Sequence, residues 1–381
     1  MKKILCVGVS VRAMVESAVR SDYPVAALDA FGDQDLGVLA ESHSLHADFG
    51  VSYSAKSALE FAQRLDFDVL AYTSDLENHP GILDTFAAHH LIAGNSARTV
   101  RSARDWPPLF QKLRQAGFPA PDSIFRGDAR EPDPERRWLI KPVLSGGGHG
   151  ISFLRGKAAA DARSFIQQYI AGKSCSASFV ANGRESVVVG ITEQMAGLAE
   201  FGAKGFRYCG NILPLPEMLD AGAGRTILEQ ARRIASFLTA EYGLTGVNGF
   251  DFILNGGRVW LTEINPRYSA SMELIERAYD LPIFHLHMQA ALEGRLPAFD
   301  LASRLDKGGF YAKTILFSGM DSRAPDTIGW LGTGLRDIPA PGEKLPQGAP
   351  ICTIFAGCPS YDGVFAELVG KAAALKEQIY G

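Results

Sequence analysis

The sequence has few cysteines and no long hydrophobic run. Its five cysteines are scattered, odd in number and without a CxxC pair, which argues against a disulfide framework or a zinc site. No segment approaches the roughly 18 consecutive apolar residues that a membrane-spanning helix needs. The first apolar stretch, residues 4–9, is too short for the core of a signal peptide. We therefore expect a reduced, cytoplasmic protein without a membrane partner.

A block of charge of one sign is also missing. The 38 basic and 42 acidic residues are interspersed, and the net charge is −4, so a nucleic-acid partner is not expected. With 381 residues, 46% of them hydrophobic, the chain has enough apolar material for about two or three domains of ~150 residues each. Small-molecule chemistry is the default expectation.

The N-terminal part lacks a complete dinucleotide fingerprint. Gly8 ends a strand-like run and Asp29 ends the next one, but the GxGxxG pattern that brings backbone close to a pyrophosphate is absent. A structural turn at Gly8 together with substrate contacts is favoured over NAD binding. Helical patterns separate short apolar runs, which predicts a Rossmann-like parallel sheet built from residues 4–9, 25–28, 68–72 and 91–93.

Two acidic residues near the middle of the chain are the most informative feature that is present. Asp251 lies in the run GFDFI and Glu263 in WLTEINPR, and an Asn-Gly-Gly turn at residues 255–257 separates the runs. This predicts a hairpin with both carboxylates on one face, which suits Mg²⁺ bound together with nucleotide phosphates. The alternative is two solvated strand charges.

A second motif precedes the acid pair. Lys141 ends a strand-like run and is followed by Ser145-Gly146-Gly147-Gly148, and then by a second apolar strand. A P-loop has its lysine after the glycines and continues into a helix, so this motif is different. A glycine-rich turn between strands can fold over phosphates, with the lysine as a point charge. A flexible hairpin tip with a solvated lysine is the alternative.

In order and spacing, these motifs resemble the ATP-grasp superfamily, in particular its carboxylate-amine ligases. The resemblance covers about residues 100–295 and includes QQYIAGKS at 167–174 and EINPR at 263–267. It implies an α/β (α+β) fold with three parts: an N-terminal Rossmann-like α/β domain (1–98), an ATP-grasp domain (99–298) with a lid subdomain at about 124–180, and a C-terminal β-rich cap (299–381).

The resemblance also implies roles for individual residues. Lys141 and Arg267 would be catalytic, the lysine on phosphates and the arginine on the transferring phosphoryl group. Mg²⁺ or Mn²⁺ would be held by Asp251, Glu263 and Asn265. ATP would be bound by Lys141, Ser145, Gly146, Gly147, Gly148, Gln168, Tyr169 and Ile170, the last three as a hinge that reads the adenine edge. The segment 201–215 would face the acceptor substrate through Arg207 and Asn211, with a plain surface hairpin as the alternative.

Two positions depart from the family pattern. The second phosphate-binding lysine is missing, and Arg104 is a displaced candidate for its place. Lys173-Ser174 stands where the family often has an acidic ribose ligand, which leaves the ribose contact open.

The activity implied is ATP-dependent ligation of a carboxylate to an amine. It would proceed through an acyl phosphate, release ADP and phosphate, and act on a small amino acid or a cofactor precursor. Two alternatives stay open: an ATP-grasp enzyme that uses bicarbonate or a phosphorylated small molecule, and a nucleotide-binding module without catalysis. The expected partners are small molecules, and a homodimer is compatible with the sequence.

Overall fold

The computed structural model describes residues 2–156, 160–305 and 308–381. Its N-terminal part alternates strands with helices or loops: β1 (Ile4–Val7), α1 (Arg12–Arg20), β2 (Val25–Asp29), α2 (Gln34–Leu39), β3 (Glu41–Ser44), α3 (Ala55–Ala62), β4 (Val69–Tyr72), α4 (Pro80–Ala87) and β5 (Leu91–Ala93). The strands pair in parallel in the order β3-β2-β1-β4-β5. The predicted parallel-sheet part of the fold is confirmed.

The strand that the sequence did not predict is β3. Its residues are Glu41, Ser42, His43 and Ser44, so the apolar run that marks a buried strand is absent. This strand lies at the edge of the sheet, where polar side chains can face solvent. By contrast β1, in the middle of the sheet, is apolar and buried throughout.

A small antiparallel sheet follows, and it contains the glycine motif. Its elements come after α5 (Ala97–Ala103) and α6 (Trp106–Gln115), and they are β6 (Ser123–Ile124), β7 (Trp138–Pro142), β8 (Ser152–Phe153) and β9 (Ser164–Gln168). The strand order is β6-β9-β7-β8. Since β7 pairs antiparallel with β8, the glycines lie in the loop of a hairpin.

The largest sheet is antiparallel and contains the acid pair. The remaining elements are β10 (Lys173–Asn182), β11 (Ser186–Ala196), β12 (Tyr208–Leu213), α7 (Ala221–Tyr242), β13 (Thr245–Asn255), β14 (Arg258–Asn265), α8 (Ser271–Tyr279), α9 (Ile283–Glu293), α10 (Ala302–Leu305), β15 (Phe310–Phe317), β16 (Ser322–Arg323), β17 (Lys344–Leu345), β18 (Pro350–Cys358) and α11 (Tyr361–Tyr380). The large sheet has the order β14-β13-β10-β11-β12-β15-β18.

The C-terminal strands β15 and β18 extend this large sheet, because β15 pairs with β12 and then with β18. The short strands β16 and β17 pair with each other in a separate two-stranded sheet. The C-terminal part therefore shares hydrogen bonds with the sheet that carries Asp251. The domain boundaries at residues 98 and 298 stay a prediction.

Helix α7 supports the sheet and has clear end signals. Asp220 caps its start by accepting hydrogen bonds from the backbone N–H groups of Gly222 and Ala223, and Gly243 ends it with a φ of +65°. Apolar residues repeat at helical spacing along one buried face: Ile227, Leu228, Ala231, Ile234, Ala235 and Leu238. The helix packs against β10, β11 and β14. It thus backs the strands around the acid pair.

None of the helices in the described ranges combines the length and the apolar character that a membrane crossing requires.

Candidate active site

A cavity of about 530 Å³ is lined by residues from all three main sheets. The N-terminal sheet contributes the segments that follow β1 and β4, and the small sheet contributes β7, its glycine loop and the end of β9. The large sheet contributes one wall. The predicted site residues on this lining are Lys141, Gly146, Gly147, Gly148, Gln168, Tyr169, Ile170, Asn211, Asp251, Glu263, Asn265 and Arg267.

The acid pair lies on adjacent strands of the large sheet. Asp251 on β13 is directly opposite Glu263 on β14, and a bulge follows at this point. Asn265 donates from Nδ2 to Oδ2 of Asp251 at 3.1 Å. Gln194 on β11 donates from Nε2 to the other carboxylate oxygen at 2.9 Å. The hairpin therefore holds two carboxylates and an amide together, as the sequence predicts.

The electrostatics of this pair fit a cation. Burial first, and then the negative charge of Glu263, raise the pKa of Asp251 to about 6, although Ser176 and Asn265 donate hydrogen bonds to it. The described residues contain no cluster of three His, Cys, Asp or Glu that could enclose a metal. Two carboxylates and an amide suit Mg²⁺, which takes few protein ligands and keeps phosphate or water oxygens. The residues present thus fit the implied ion.

Lys141 lies on the small sheet and is 9% exposed. Its Nζ donates to Oε1 of Gln167 at 3.2 Å. Burial lowers the pKa of Lys141, and the charges of Glu263 and Asp251 act in the opposite direction. The lysine is therefore a desolvated cation on the cavity wall that is within electrostatic range of the acid pair.

The glycine loop packs on the segment before β12. The backbone N–H of Tyr208 donates to the carbonyl of Gly147 at 2.9 Å. Gly148 has a φ of +76°, and a Cβ at this residue would lie 1.9 Å from the carbonyl oxygen of Phe206. Glycine is therefore required at this position by both backbone conformation and space. Ser145 differs from the glycines, because it is not among the described residues that line the cavity.

The predicted hinge joins the small sheet to the large one. Gln168 ends β9, and β10 begins at Lys173, so Tyr169 and Ile170 lie in the connection. The N–H of Gln168 donates to Asp122 O at 2.7 Å, and the N–H of Tyr169 donates to Arg137 O at 2.8 Å. The hinge is thus fixed to the small sheet, and its contact with adenine stays a prediction.

Arg104 does not line the cavity in the described structure. It is buried behind Glu263, donating from Nη1 to Glu263 Oε1 at 3.0 Å and from Nη2 to Asn78 Oδ1 at 2.7 Å. Its guanidinium also lies over the ring of Trp106. Arg104 therefore contacts a predicted metal ligand, and the structure does not place it as a direct phosphate contact.

The two predicted acceptor residues lie in different places. Asn211 lines the cavity and donates from Nδ2 to Thr192 Oγ1 at 2.9 Å, while the hydroxyl of Tyr208 donates to its Oδ1. Arg207 donates to Gly348 O at 2.6 Å, and its guanidinium lies 3.9 Å from the ring centroid of Phe317. Arg207 is thus directed to the C-terminal part and is not brought to the described cavity lining.

Several polar residues on the lining were not predicted from the sequence. Lys313 on β15 is 4% exposed, and its Nζ donates to Oε2 of Glu273 at 2.9 Å. The buried Arg12 also donates to Glu273, and it donates to Asp337 at 3.0 Å. Gln194 on β11 is another such residue. The sequence does contain a signal for Lys313, because this lysine interrupts the largely apolar run from Phe310 to Phe317. Buried polar groups of this kind require partners and so mark a site or a network.

Residues 104–271 match a family model described as an ATP-grasp domain. An uncharacterized protein of Methanocaldococcus jannaschii is 22% identical over 378 residues, with 93% of this chain and 88% of that protein covered.

Two solved structures share the fold over nearly the whole chain. The first is the biotin carboxylase domain of the Hydrogenobacter thermophilus 2-oxoglutarate carboxylase, in complex with MgADP, ADP and bicarbonate. It has a TM-score of 0.70 and 13% identity, and 96% of this chain and 88% of that chain are covered. The second is the L-amino acid ligase of Bacillus licheniformis. It has a TM-score of 0.67 and 14% identity, and 100% of this chain and 98% of that chain are covered.

These matches bear on one domain and on the fold of the whole chain. Residues 104–271 match an ATP-grasp domain, and the chain shares its fold, a parallel-sheet part preceding antiparallel sheets, with a solved L-amino acid ligase and a solved biotin carboxylase domain. The predicted ATP-grasp resemblance and the predicted fold class are therefore confirmed.

Proposed function

We propose that this chain is an ATP-dependent carboxylate-amine ligase that acts on a small amino acid or a cofactor precursor. The observation that supports this most directly is the composition of the cavity wall. Lys141, the glycine loop, Arg267 and the opposed carboxylates of Asp251 and Glu263 all line one cavity of about 530 Å³. Such a set of cations, backbone and metal-ligand oxygens suits phosphoryl transfer, which depends on positioning and charge neutralisation.

In the proposed reaction, an oxygen of the substrate carboxylate attacks the γ-phosphorus of ATP, and the bond to the β-phosphate oxygen breaks. This yields an acyl phosphate and ADP. The amine nitrogen then attacks the carbonyl carbon, phosphate leaves with its oxygen, and the nitrogen loses a proton. When bound, Mg²⁺ supplies neutralisation of phosphate charge.

The residues of the chain would contribute by holding groups in place. Asp251, Glu263 and Asn265 would ligate the metal, and Lys141 would bind phosphate oxygens. Arg267 would stabilise the phosphoryl group, since a guanidinium binds such oxygens through two nitrogens. The glycine loop, Gly146–Gly148, would cover the phosphates and exclude water.

The proposal is tested by measuring ADP release with a panel of carboxylates and amines in the presence of Mg²⁺. ADP release is expected to require a carboxylate, and hydroxylamine is expected to trap the activated carboxylate as a hydroxamate. Lys141→Met should reduce the rate by about 100-fold or more. Lys112→Met, at a half-exposed lysine on α6, is the matched control and should leave the rate unchanged.

The other outcomes select the alternatives. The similarity in fold to a biotin carboxylase domain solved with bicarbonate keeps that acceptor as the second candidate. Bicarbonate-stimulated ADP release without hydroxamate formation from any carboxylate would favour it. ATP binding without turnover across the panel would favour a module without catalysis.

A further inference from the structure

A short helical turn that follows the N-terminal sheet's β4 contacts both Arg267 and Arg104. This turn, Leu76–Asn78, follows β4, and its residues are buried. Oε1 of Glu77 accepts a hydrogen bond from Nε of Arg267 at 2.5 Å, and Oδ1 of the neighbouring Asn78 accepts one from Arg104. Glu77 is 190 positions from Arg267 in sequence, so motif spacing gives no signal for this contact.

The contact with Glu77 fixes one edge of the Arg267 guanidinium. Nε is used by Glu77, and Nη1 donates to the carbonyl of Tyr268 at 3.0 Å. Nη2 makes a long contact of 3.5 Å with Oδ1 of Asn265. An arginine has five N–H donors in a rigid fork. Nη2 of Arg267 therefore keeps donor capacity while the Nε edge is held, and Arg267 lines the cavity.

The backbone next to Arg267 is held by the same sheet. Nδ2 of Asn95, just after β5, donates to the carbonyl of Pro266 at 3.0 Å, and the hydroxyl of Tyr72 lies 3.4 Å from that oxygen. The N-terminal sheet thus contacts Arg267 and the preceding residue through three side chains. Its parallel strands place all three contacts at their carboxyl ends, where ligand sites of such sheets are found.

The burial of Glu77 is difficult to explain by stability alone. Its side chain is 1% exposed, and Oε2 has no hydrogen-bond partner within the described residues. A buried carboxylate with an unpaired oxygen is unfavourable, and a buried ion pair is often no more stable than apolar packing. A role in orienting Arg267 accounts for a buried negative charge at residue 77.

We propose that Glu77 is a positioning residue that holds Arg267 by its Nε edge, so that Nη2 is presented to the phosphoryl group in transfer. This inference rests on the proposed function, because it takes Arg267 as the residue that contacts that group. Glu77 itself acts through Arg267 and touches no reacting atom.

The test uses two nucleotide probes and no acceptor substrate. MgADP alone reports on nucleotide binding, whereas MgADP with fluoroaluminate mimics the phosphoryl group in transfer. Glu77→Leu is expected to weaken the fluoroaluminate complex by about tenfold or more and to change the affinity for MgADP by less than about twofold. In an Arg267→Met background, the same substitution should have no further effect, because the two residues act as one unit.

The control is a second Glu–Arg pair outside the cavity lining, in which the glutamate is buried and the arginine is half-exposed. Glu276 on α8 is 5% exposed at its side chain and bonds Arg20 on α1 at 3.1 Å. Glu276→Gln should bind both probes like the wild type. If Glu77→Leu does not fold, Glu77→Gln carries the test, since it removes the charge and keeps an oxygen acceptor; it should weaken the fluoroaluminate complex selectively and to a smaller extent.

Three results would overturn the inference. The Glu77 variants could lose affinity for both probes equally, they could lose affinity for neither, or their loss could persist in the Arg267→Met background. The proposed function fails by a different result, namely a wild-type protein that does not bind magnesium nucleotide. An acceptor screen without a hit leaves the positioning test intact, because both probes lack an acceptor.

Discussion

Asp251 is a buried carboxylate on the cavity wall. It is placed opposite a second carboxylate by strand register, and burial and that neighbour raise its pKa to about 6. The side-chain amides of Gln194 and Asn265 donate hydrogen bonds to the two carboxylate oxygens of Asp251. Amides satisfy the oxygens without neutralising the charge, so the pair is left suited to a divalent cation.

At the same scale, His287 ties the large sheet to the N-terminal one. Its Nδ1 accepts from the N–H of Val247 at 3.0 Å, and its Nε2 is 3.1 Å from Ala93 O. Burial lowers the pKa of His287 to about 4. The imidazole is therefore neutral in the folded state, whereas in the unfolded chain it gains a proton below about 6.5.

We predict that this histidine makes stability depend on pH. The folded pKa lies below the unfolded pKa, so its contribution is present above about 6.5 and is lost as the pH falls towards about 4. The full difference is on the order of 3 kcal/mol. Urea unfolding at pH 7.5, 6 and 5 should show a smaller decrease in His287→Gln than in wild type. An identical decrease in both proteins would contradict the prediction.

The site residues differ in how well their positions in the structure can be predicted from the sequence. Lys141, Asp251, Glu263 and Asn265 reach the cavity because each lies in a strand whose period fixes the direction of its side chain. Arg267 follows β14 by two residues, and its guanidinium is held by Glu77. Arg207 could not be placed this way, because its guanidinium packs on Phe317, a residue distant in sequence. Glu77 was missed for the same reason, since its partner is set by the tertiary fold.

At the scale of elements, the conformation of the glycine loop depends on single residues. Gly148 combines a positive φ with the near contact to Phe206, whereas Gly146 has no heavy atom within 4 Å of its Cβ position. These two glycines are neighbours in one loop with different constraints. The loop is therefore shaped by Gly148 packing against the segment before β12.

We predict that Gly148→Ala weakens MgATP binding and that Gly146→Ala does not. The added methyl group would strain the backbone and displace the loop from Phe206, at about 1 to 3 kcal/mol, or roughly 5- to 160-fold in affinity. Fluorescence or calorimetric titration of the two variants measures the difference. Equal affinities would show that the loop does not need its present conformation to bind nucleotide.

Elements with strong patterns were predicted well, and those shaped by neighbours were not. The parallel strands β1, β2, β4 and β5 were expected from their apolar runs, but the polar edge strand β3 was not. The hairpin β13–β14 was expected from its turn and its alternating residues. The pairing of β15 with β12 could not be predicted, because nothing local in either strand specifies its partner.

At the scale of the whole molecule, the cavity exists because three sheets meet. The small sheet supplies Lys141 and the glycine loop, the large sheet supplies the acid pair, and the N-terminal sheet holds Arg267 through Glu77. The cavity is also lined by the buried charges of Arg12, Glu273 and Lys313, which come from three separate parts of the chain and pair with one another. The site is thus a property of the assembled fold.

The most direct test of the central claim is calorimetric titration of ATP with and without Mg²⁺. Wild type is expected to bind ATP more tightly when Mg²⁺ is present. The double variant Asp251→Asn with Glu263→Gln should lose that Mg²⁺ dependence and bind MgATP at least ~100-fold more weakly. Glu229→Gln, at an exposed position on α7, is the control and should match wild type. Unchanged, Mg²⁺-dependent ATP binding in the double variant would contradict the assignment of this wall as the metal and nucleotide site.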